Sequence, residues 1–414
     1  MRPCQPHAAY ATFTHGYVHK FSYLCRTVPN VSQSLQPLED CIRSHLIPIL
    51  TGQCSPNDSV RDLLGLPARL GGMGLVNPTK ISSAQHKASA SISAPLKDRI
   101  LAQNREYPLD CIDAQVNAKL AAQKLQRESS KAAASTLRDS ISGSLQRAMD
   151  LAQEKGASSW LTSLPLEEFG FTLHKGAFRD AIALRYGWQP SYSPSNCACG
   201  TNFSVEHALS CPKGGFPTIR HNEIRDLTAN LMTEVCHDVC VEPTLQPITG
   251  EVFSNATAIA DDGARLDIAA NGFWGGRSER AFFDVRVFNP LAPSNRQPLP
   301  TCYRKHENQK KRAYEQRVRE IEHGSFTPLV MSLTGGLGNA ASVCYKRLAS
   351  LISAKRDVSY SSTMAWIRCS LSFSLLRSSI QCIRGARSAI GQAVRQPFPP
   401  LDLVSAEARF SSLG

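Results

Sequence analysis

The chain has 414 residues, 42% of them hydrophobic, and a formal net charge of +12. That apolar fraction supports real cores and excludes wholesale disorder, and the length allows two or three domains. The positive balance favours a polyanionic partner, nucleic acid or an anionic membrane, yet no run reaches the roughly 18 apolar residues of a membrane span.

The first segment, MRPCQPHAAYATF, has no basic region leading into an apolar core, so a secretory signal is not expected. Without one, the 14 cysteines read as reduced thiols and one metal site rather than a disulfide framework. Two helical stripes follow: Phe13, Tyr17, Phe21 and Leu24, then Leu38, Ile42, His45, Leu46 and Ile49. Pro67 and the glycines at 71, 72 and 74 close this region in a compact turn. A Gly-Gly-x-Gly run can approach phosphate, but here it lacks the strand-then-helix frame of a nucleotide loop. Residues 81–155 carry thin stripes, Ile112, Val116 and Leu120, then Leu137, Ile141 and Leu145. They predict amphipathic helices broken near Ser129 and Ser130, with Gly156 suited to a C-terminal cap. The region reads as a helical connector or coiled hairpin; the repeats are too few for a partner-binding coiled coil.

A short helix through Ala177, Ile182, Leu184 and Tyr186, closed by Gly187, precedes the pattern C-x-C…H-x-x-x-C of Cys197, Cys199, His207 and Cys211. Three thiolates and an imidazole form a sound tetrahedral set for a structural Zn²⁺, although the single-residue gap is tighter than usual finger spacing. Unrelated buried cysteines are the alternative. Cys236, His237 and Cys240 lack a nearby fourth ligand and read as core thiols, with Cys236 and Cys240 one helical turn apart.

Ile224, Leu227, Leu231 and Val235 predict a helix capped by Thr218. Arg220, His221 and Asn222 would lie in its first turn, where free N–H groups favour an anion. A plain exposed helix start is the competing reading. Glu223 could reach a metal shared with two aspartates further on. These are Asp267, at the strand LDIAA, and Asp284, in the strand AFFDVRVF, on either side of NGFWGG. A hairpin turning between Gly275 and Gly276 sets Asp267 opposite Asp284, with glycine supplying the positive φ of a tight turn. Asp284, Arg286 and Phe288 share one face of their strand. Two apposed carboxylates in a partly buried site repel, and oxygen ligands of this kind suit Mg²⁺. Alternatively, both aspartates sit at strand edges or pair with nearby arginines. A basic helix then carries Lys310 and Lys311 one turn before Tyr314, followed by the strand FTPLVMSL and a closing helix.

This order of helix, strands, basic helix, strand and helix matches a mixed α/β nuclease core. The usual frame there is Asp, then Asp/Glu-x-Lys. Asp284-x-Arg286 puts arginine, a poor proton acceptor, in the lysine's place, so the lysine role falls to Lys310 or Lys311. Asp261-Asp262, the one Asp-Asp pair, lies after the Cys/His group and reads as a loop; no polymerase activity is expected. The segment after residue 356 mixes Trp366, Leu371, Leu375 and Ile380 with arginines, and packing on the nuclease region is the default over a basic surface helix.

THGYVHKFSYLCRTVP, LQPLEDCIRSHLIPILTG and DLLGLPARLGGMGLVNP resemble the thumb region that follows the polymerase palm in non-LTR retrotransposon reverse transcriptases. The Cys/His group, Arg220-His221-Asn222, Arg265-Leu266-Asp267, Asp284 and the Lys310–Tyr314 run resemble the C-terminal endonuclease of site-targeting members of that family. The resemblance covers roughly residues 10–80 and 160–350 and departs from the family at Leu266, where proline is usual. It implies a restriction-endonuclease-like α/β core at 216–355, a zinc knuckle at 190–215, a thumb remnant at 1–80, a helical connector at 81–189 and a basic tail at 356–414. Asp267 and Asp284 would hold Mg²⁺, with Lys310 or Lys311 as catalytic lysine. The knuckle, Arg220, His221, Asn222, Arg265, Arg286, Arg304 and Lys305 would contact nucleic acid. The implied partners are target DNA and the element's RNA, with action in the nucleus after cytoplasmic synthesis. A non-catalytic nucleic-acid-binding fragment of a decayed element is the alternative.

Overall fold

The computed structural model describes residues 5–104, 109–246 and 264–385. The chain divides into two compact units, Met1–Gln153 with Thr172–Ser191, and Glu154–Phe171 with Tyr192–Gly414. Residues 1–80 therefore share a unit with most of the stretch read as a connector, while the stretch after 356 belongs to the second unit. Asp261-Asp262 and the segment QPFPPLDL lie outside the described residues.

The first unit is helical, and its buried faces depart from simple periodicity for one physical reason. Phe13–Tyr17 and Ile42–Leu46 are π-helical turns inside otherwise continuous helices. Each inserts an extra residue per turn and rotates the face that follows. Phe13 and Phe21 are buried as expected, but Tyr17 and Leu24 are exposed, and in the second helix the core continues through Ile47 and Leu50 rather than Ile49. Leu109–Ser140 runs unbroken through Ser129 and Ser130, and Ile112, Val116 and Leu120 on it are exposed. The glycine turn has a structural role: Tyr10 donates to the Met73 carbonyl, Tyr186 to Gly71 and Arg185 to Gly72. Arg61 and Glu39, both buried, form a two-pronged ion pair at 2.6 Å, and Arg61 also donates to the Leu75 carbonyl.

The second unit is mixed α/β. Its sheet has four strands in the order β1 (His237–Val241), β2 (Ile268–Asn271), β3 (Arg280–Phe288) and β4 (Ser325–Ser332). The first three run antiparallel to their neighbours, and β4 is parallel to β3. β1 has no counterpart in the sequence reading: Cys236 precedes an edge strand, not a helical turn, and Cys240 lies within it, exposed rather than a core thiol. Four long helices complete the unit, α1 (Phe216–Thr233), α2 (Leu299–Glu320), α3 (Asn339–Arg356) and α4 (Tyr360–Arg384). α1 begins two residues before Thr218, with Gly215 at its cap position and Pro217 in the first turn. Proline is favoured there because its missing N–H costs nothing. Arg220, His221 and Asn222 therefore sit a turn deeper than the sequence suggests, where backbone N–H groups are already bonded within the helix. α4 is buried on most of its length, Trp366, Leu371, Phe373 and Leu375 included, and packs on α1 and α3.

α2 spans the face of the sheet that carries Phe282, Asp284 and Phe288. Near its C-terminal end Val318 joins a cluster with Phe282, Ala269 and Leu266. Near its N-terminal end Tyr303 meets Phe288 edge-on, with ring centres 5.1 Å apart. Those two apolar contacts hold the middle of the helix, residue 310, over the middle of β3. No helix among the described residues is long and apolar enough to cross a membrane.

The Glu39–Arg61 pair sets a stability test. Glu39→Ala leaves a buried guanidinium without its partner and is expected to destabilise the first unit by about 3–5 kcal/mol. Urea denaturation of the variant should show the loss as an earlier transition.

Candidate functional site

Ile268 pairs with Phe283 across β2 and β3, so one step back in the same register brings Asp267 opposite Asp284. The joint is wider than a tight hairpin. Asn271 pairs with Arg280, an eight-residue loop lies between them, and the positive φ falls at Gly272 (82°), not at Gly275 or Gly276.

Asp267 sits at the entrance to β2 with both carboxylate oxygens engaged. His221 Nε2 is 2.9 Å from Oδ1, and the Val285 amide donates to Oδ2 at 2.6 Å. Burial alone would raise its pKa, but His221, the Val285 N–H and Lys310 outweigh burial and hold it below the usual value. Asp284 is 5% exposed. Lys310 Nζ lies 2.6 Å from its Oδ2, a close ion pair. Burial pushes the Asp284 carboxyl up to about 6; Lys310 opposes the rise and the neighbouring Asp267 adds to it. The two aspartates thus differ in character. One is held ionised by its hydrogen bonds, while the other is buried, paired with Lys310 and shifted toward its protonated form.

The other expected residues separate around this pair. Lys310, rather than Lys311, is tied to Asp284; neighbouring residues on a helix point about 100° apart, so only one of the two can face the strand. Lys310 also lies 5.7 Å from the centre of the Tyr314 ring. Glu223 accepts a hydrogen bond from Ser378 of α4 at 2.5 Å. Arg220 is not an exposed nucleic-acid contact: it is buried and donates from both terminal nitrogens to the Leu209 carbonyl. His221 joins the acidic pair, and Asn222 is half-buried beside it in sequence. Arg286, Arg304 and Lys305 are exposed, and Arg265 is half-buried and forms an antiparallel backbone bridge with Thr244.

The Cys/His cluster assembles as its spacing predicts. The ligand atoms of Cys197, Cys199, His207 and Cys211 all lie within 4.8 Å of one another, so the cluster could hold a metal ion such as zinc. Cys197 and Cys211 are 3.8 Å apart sulfur to sulfur, the edge of a tetrahedron with Zn–S bonds of about 2.3 Å. The local chain builds this shape. Gly200, at φ 92°, curls the backbone so that Cys197 donates to the Thr201 carbonyl and Gly200 to Cys197. Ser204 caps the single turn Val205–Ala208 by accepting from the His207 amide, which lifts the imidazole toward Cys199, 3.1 Å away. The Thr201 hydroxyl and amide, with His207 and Cys197, lower the Cys199 thiol to about 6; burial raises Cys211.

Sequence reasoning missed Asn289, just past β3. Its side-chain amide donates to the Glu206 carbonyl and to Ser210 Oγ, binding the strand's end to the cluster's helical turn. No pattern marks such a residue, because its importance comes from a contact about 80 residues back. The facing of His221 was legible in principle, since Arg220 and His221 cannot both point the same way on one helix.

Neither a protein-family model nor a curated protein sequence matches the chain.

The site yields two expectations. Metal analysis of purified protein should find one zinc per chain, and Cys197→Ser with Cys199→Ser should abolish it; wild-type protein without zinc would overturn the assignment. Asp284 also imposes a pH signature. Its folded pKa, about 6, exceeds the ordinary 3.8, so its share of stability falls as pH rises from about 4 to 6, and the loss is complete above that. In chelator, the stability of Asp284→Asn relative to wild type should therefore increase by on the order of 2–3 kcal/mol between pH 4 and 7. Thermal melts across that range measure it.

Proposed function

We propose that the second unit is a metal-dependent DNA endonuclease with a restriction-endonuclease-like core. In this reading the chain is the C-terminal part of a non-LTR retrotransposon polyprotein, acting on target DNA in the nucleus alongside the element's RNA. The observation that carries the proposal is the meeting of Asp267, Asp284 and Lys310 from three separate elements, two apposed buried carboxylates with Lys310 Nζ 2.6 Å from Asp284 Oδ2. Two carboxylates side by side fit a small divalent cation, and Mg²⁺ suits the all-oxygen donors. When bound, that cation would supply a polarised water and charge stabilisation at the phosphodiester.

The protein's own groups define the rest. Asp267, oriented by His221 and the Val285 amide, presents a fixed carboxylate. Asp284 offers a buried carboxylate paired with Lys310. Lys310, held over β3 by the packing of α2, supplies a cation where negative charge develops on the phosphate in the transition state. It thereby fills the role that Arg286, exposed on the strand, does not take. Arg286, Arg304 and Lys305 place positive charge on the surface of β3 and α2, suited to flanking phosphates. The product expected from such a site is a nicked strand, with its 3′-hydroxyl available as a primer for a polymerase palm that this sequence does not contain.

The Asp284–Lys310 ion pair is also a complete structural arrangement, which favours a second reading as a non-catalytic nucleic-acid-binding protein. Incubation of the full chain with supercoiled plasmid separates them. With Mg²⁺ or Mn²⁺, nicking should be lost by about 100-fold or more in Asp267→Ala, Asp284→Ala and Lys310→Ala, and retained in Lys311→Ala. Plasmid binding without cleavage under any divalent metal would sink the nuclease reading.

A further inference from the structure

Arg220 is 3% exposed, and among the described residues it has no carboxylate partner. Its terminal nitrogens donate to the Leu209 carbonyl at 3.2 Å, Nη1 also approaches Cys382 Sγ at 3.6 Å, and Nε bonds to nothing. A buried guanidinium with so little compensation needs negative charge nearby. The cluster it braces supplies it: Leu209 lies between the ligands His207 and Cys211, and three thiolates with a neutral imidazole around a divalent ion carry a net charge of −1. The next residue, His221, pairs with Asp267. From the other side, Asn289 ties the end of β3, the strand of Asp284, to Glu206 and Ser210 within the same loop. Both carboxylates of the acidic site are therefore joined to the Cys/His cluster, one through α1 and one through β3.

We propose that Arg220 and Asn289 are positioning residues that couple the metal-loaded Cys/His cluster to the Asp267–Asp284 site, with Arg220 as the cluster's counter-charge. The zinc site then acts on the acidic site by fixing the start of α1 and the end of β3, in addition to any contact of its own with nucleic acid. Its consequences for Mn²⁺ binding and cleavage rest on the nuclease reading; the coupling seen by hydrogen exchange does not.

The full-length protein tests this with two readouts that need no cleavage: hydrogen exchange of the β3 peptide containing Val285, whose amide bonds Asp267, and Mn²⁺ binding measured by electron paramagnetic resonance, with Asp284→Ala as the blank. Arg220→Gln keeps hydrogen-bonding capacity but removes the charge. With zinc still bound, it should speed exchange in β3 and weaken Mn²⁺ binding, each about ten-fold, the scale of outer-shell effects on metal sites. Arg220→Lys should restore most of both. Asn289→Ala, and removal of zinc from wild type by a chelator, should loosen β3 in the same way and carry the test if Arg220→Gln does not fold. Wild-type β3 protection after zinc removal would overturn the proposal. So would accelerated exchange spread evenly over the whole unit, the mark of an arginine with a merely structural role. Plasmid nicking, scored separately, can fail without affecting the exchange result, so the coupling and the nuclease reading are judged apart.

Discussion

Asp284 is a carboxylate buried in the middle of a sheet, directly across from a second carboxylate, and much of the second unit can be understood as the means of holding it there. Placing charge in such a position is unfavourable unless a cation or hydrogen bonds offset it. Lys310 provides the cation. It can do so only because α2 is locked in register on the strand by Val318 near one end and Tyr303 near the other. The offset is incomplete. Burial still holds the carboxyl pKa up at about 6, which is the property a metal or a proton can use.

The Cys/His cluster is organised on a different principle. Its geometry is local: a glycine that turns the chain, a threonine that bonds the thiol, a serine that caps one helical turn. All four ligands lie within 15 residues, so the site needs little from the rest of the molecule to form. What the rest of the molecule adds is attachment, through Arg220 to the Leu209 carbonyl and Asn289 to Ser210 within the cluster's loop.

How far each feature was legible depended on how local its cause is. The helix closed by Gly187, the strands around Asp267 and Asp284 and the helix bearing Lys310 follow from periodicity and were read correctly in type. Stripes that crossed a π-turn were read onto the wrong face, since one extra residue rotates everything after it and leaves no mark in composition. Thr218 was a plausible cap by residue type, but Gly215 and Pro217 start the helix earlier. β1 escaped notice because an exposed edge strand of five residues, HDVCV, has almost no buried pattern to betray it.

The sequence by itself determined the register of the two aspartates and the four residues of the Cys/His cluster. Strand pairing and ligand spacing along a short stretch of chain are settled by covalent connectivity. Tertiary structure decided which lysine faces Asp284, that Arg220 is buried beneath the cluster instead of reaching outward, and that Glu223 bonds Ser378. Each of those outcomes turns on which side of a helix meets a partner far away in sequence. Packing of one element on another makes that choice, and a helix read alone does not reveal it.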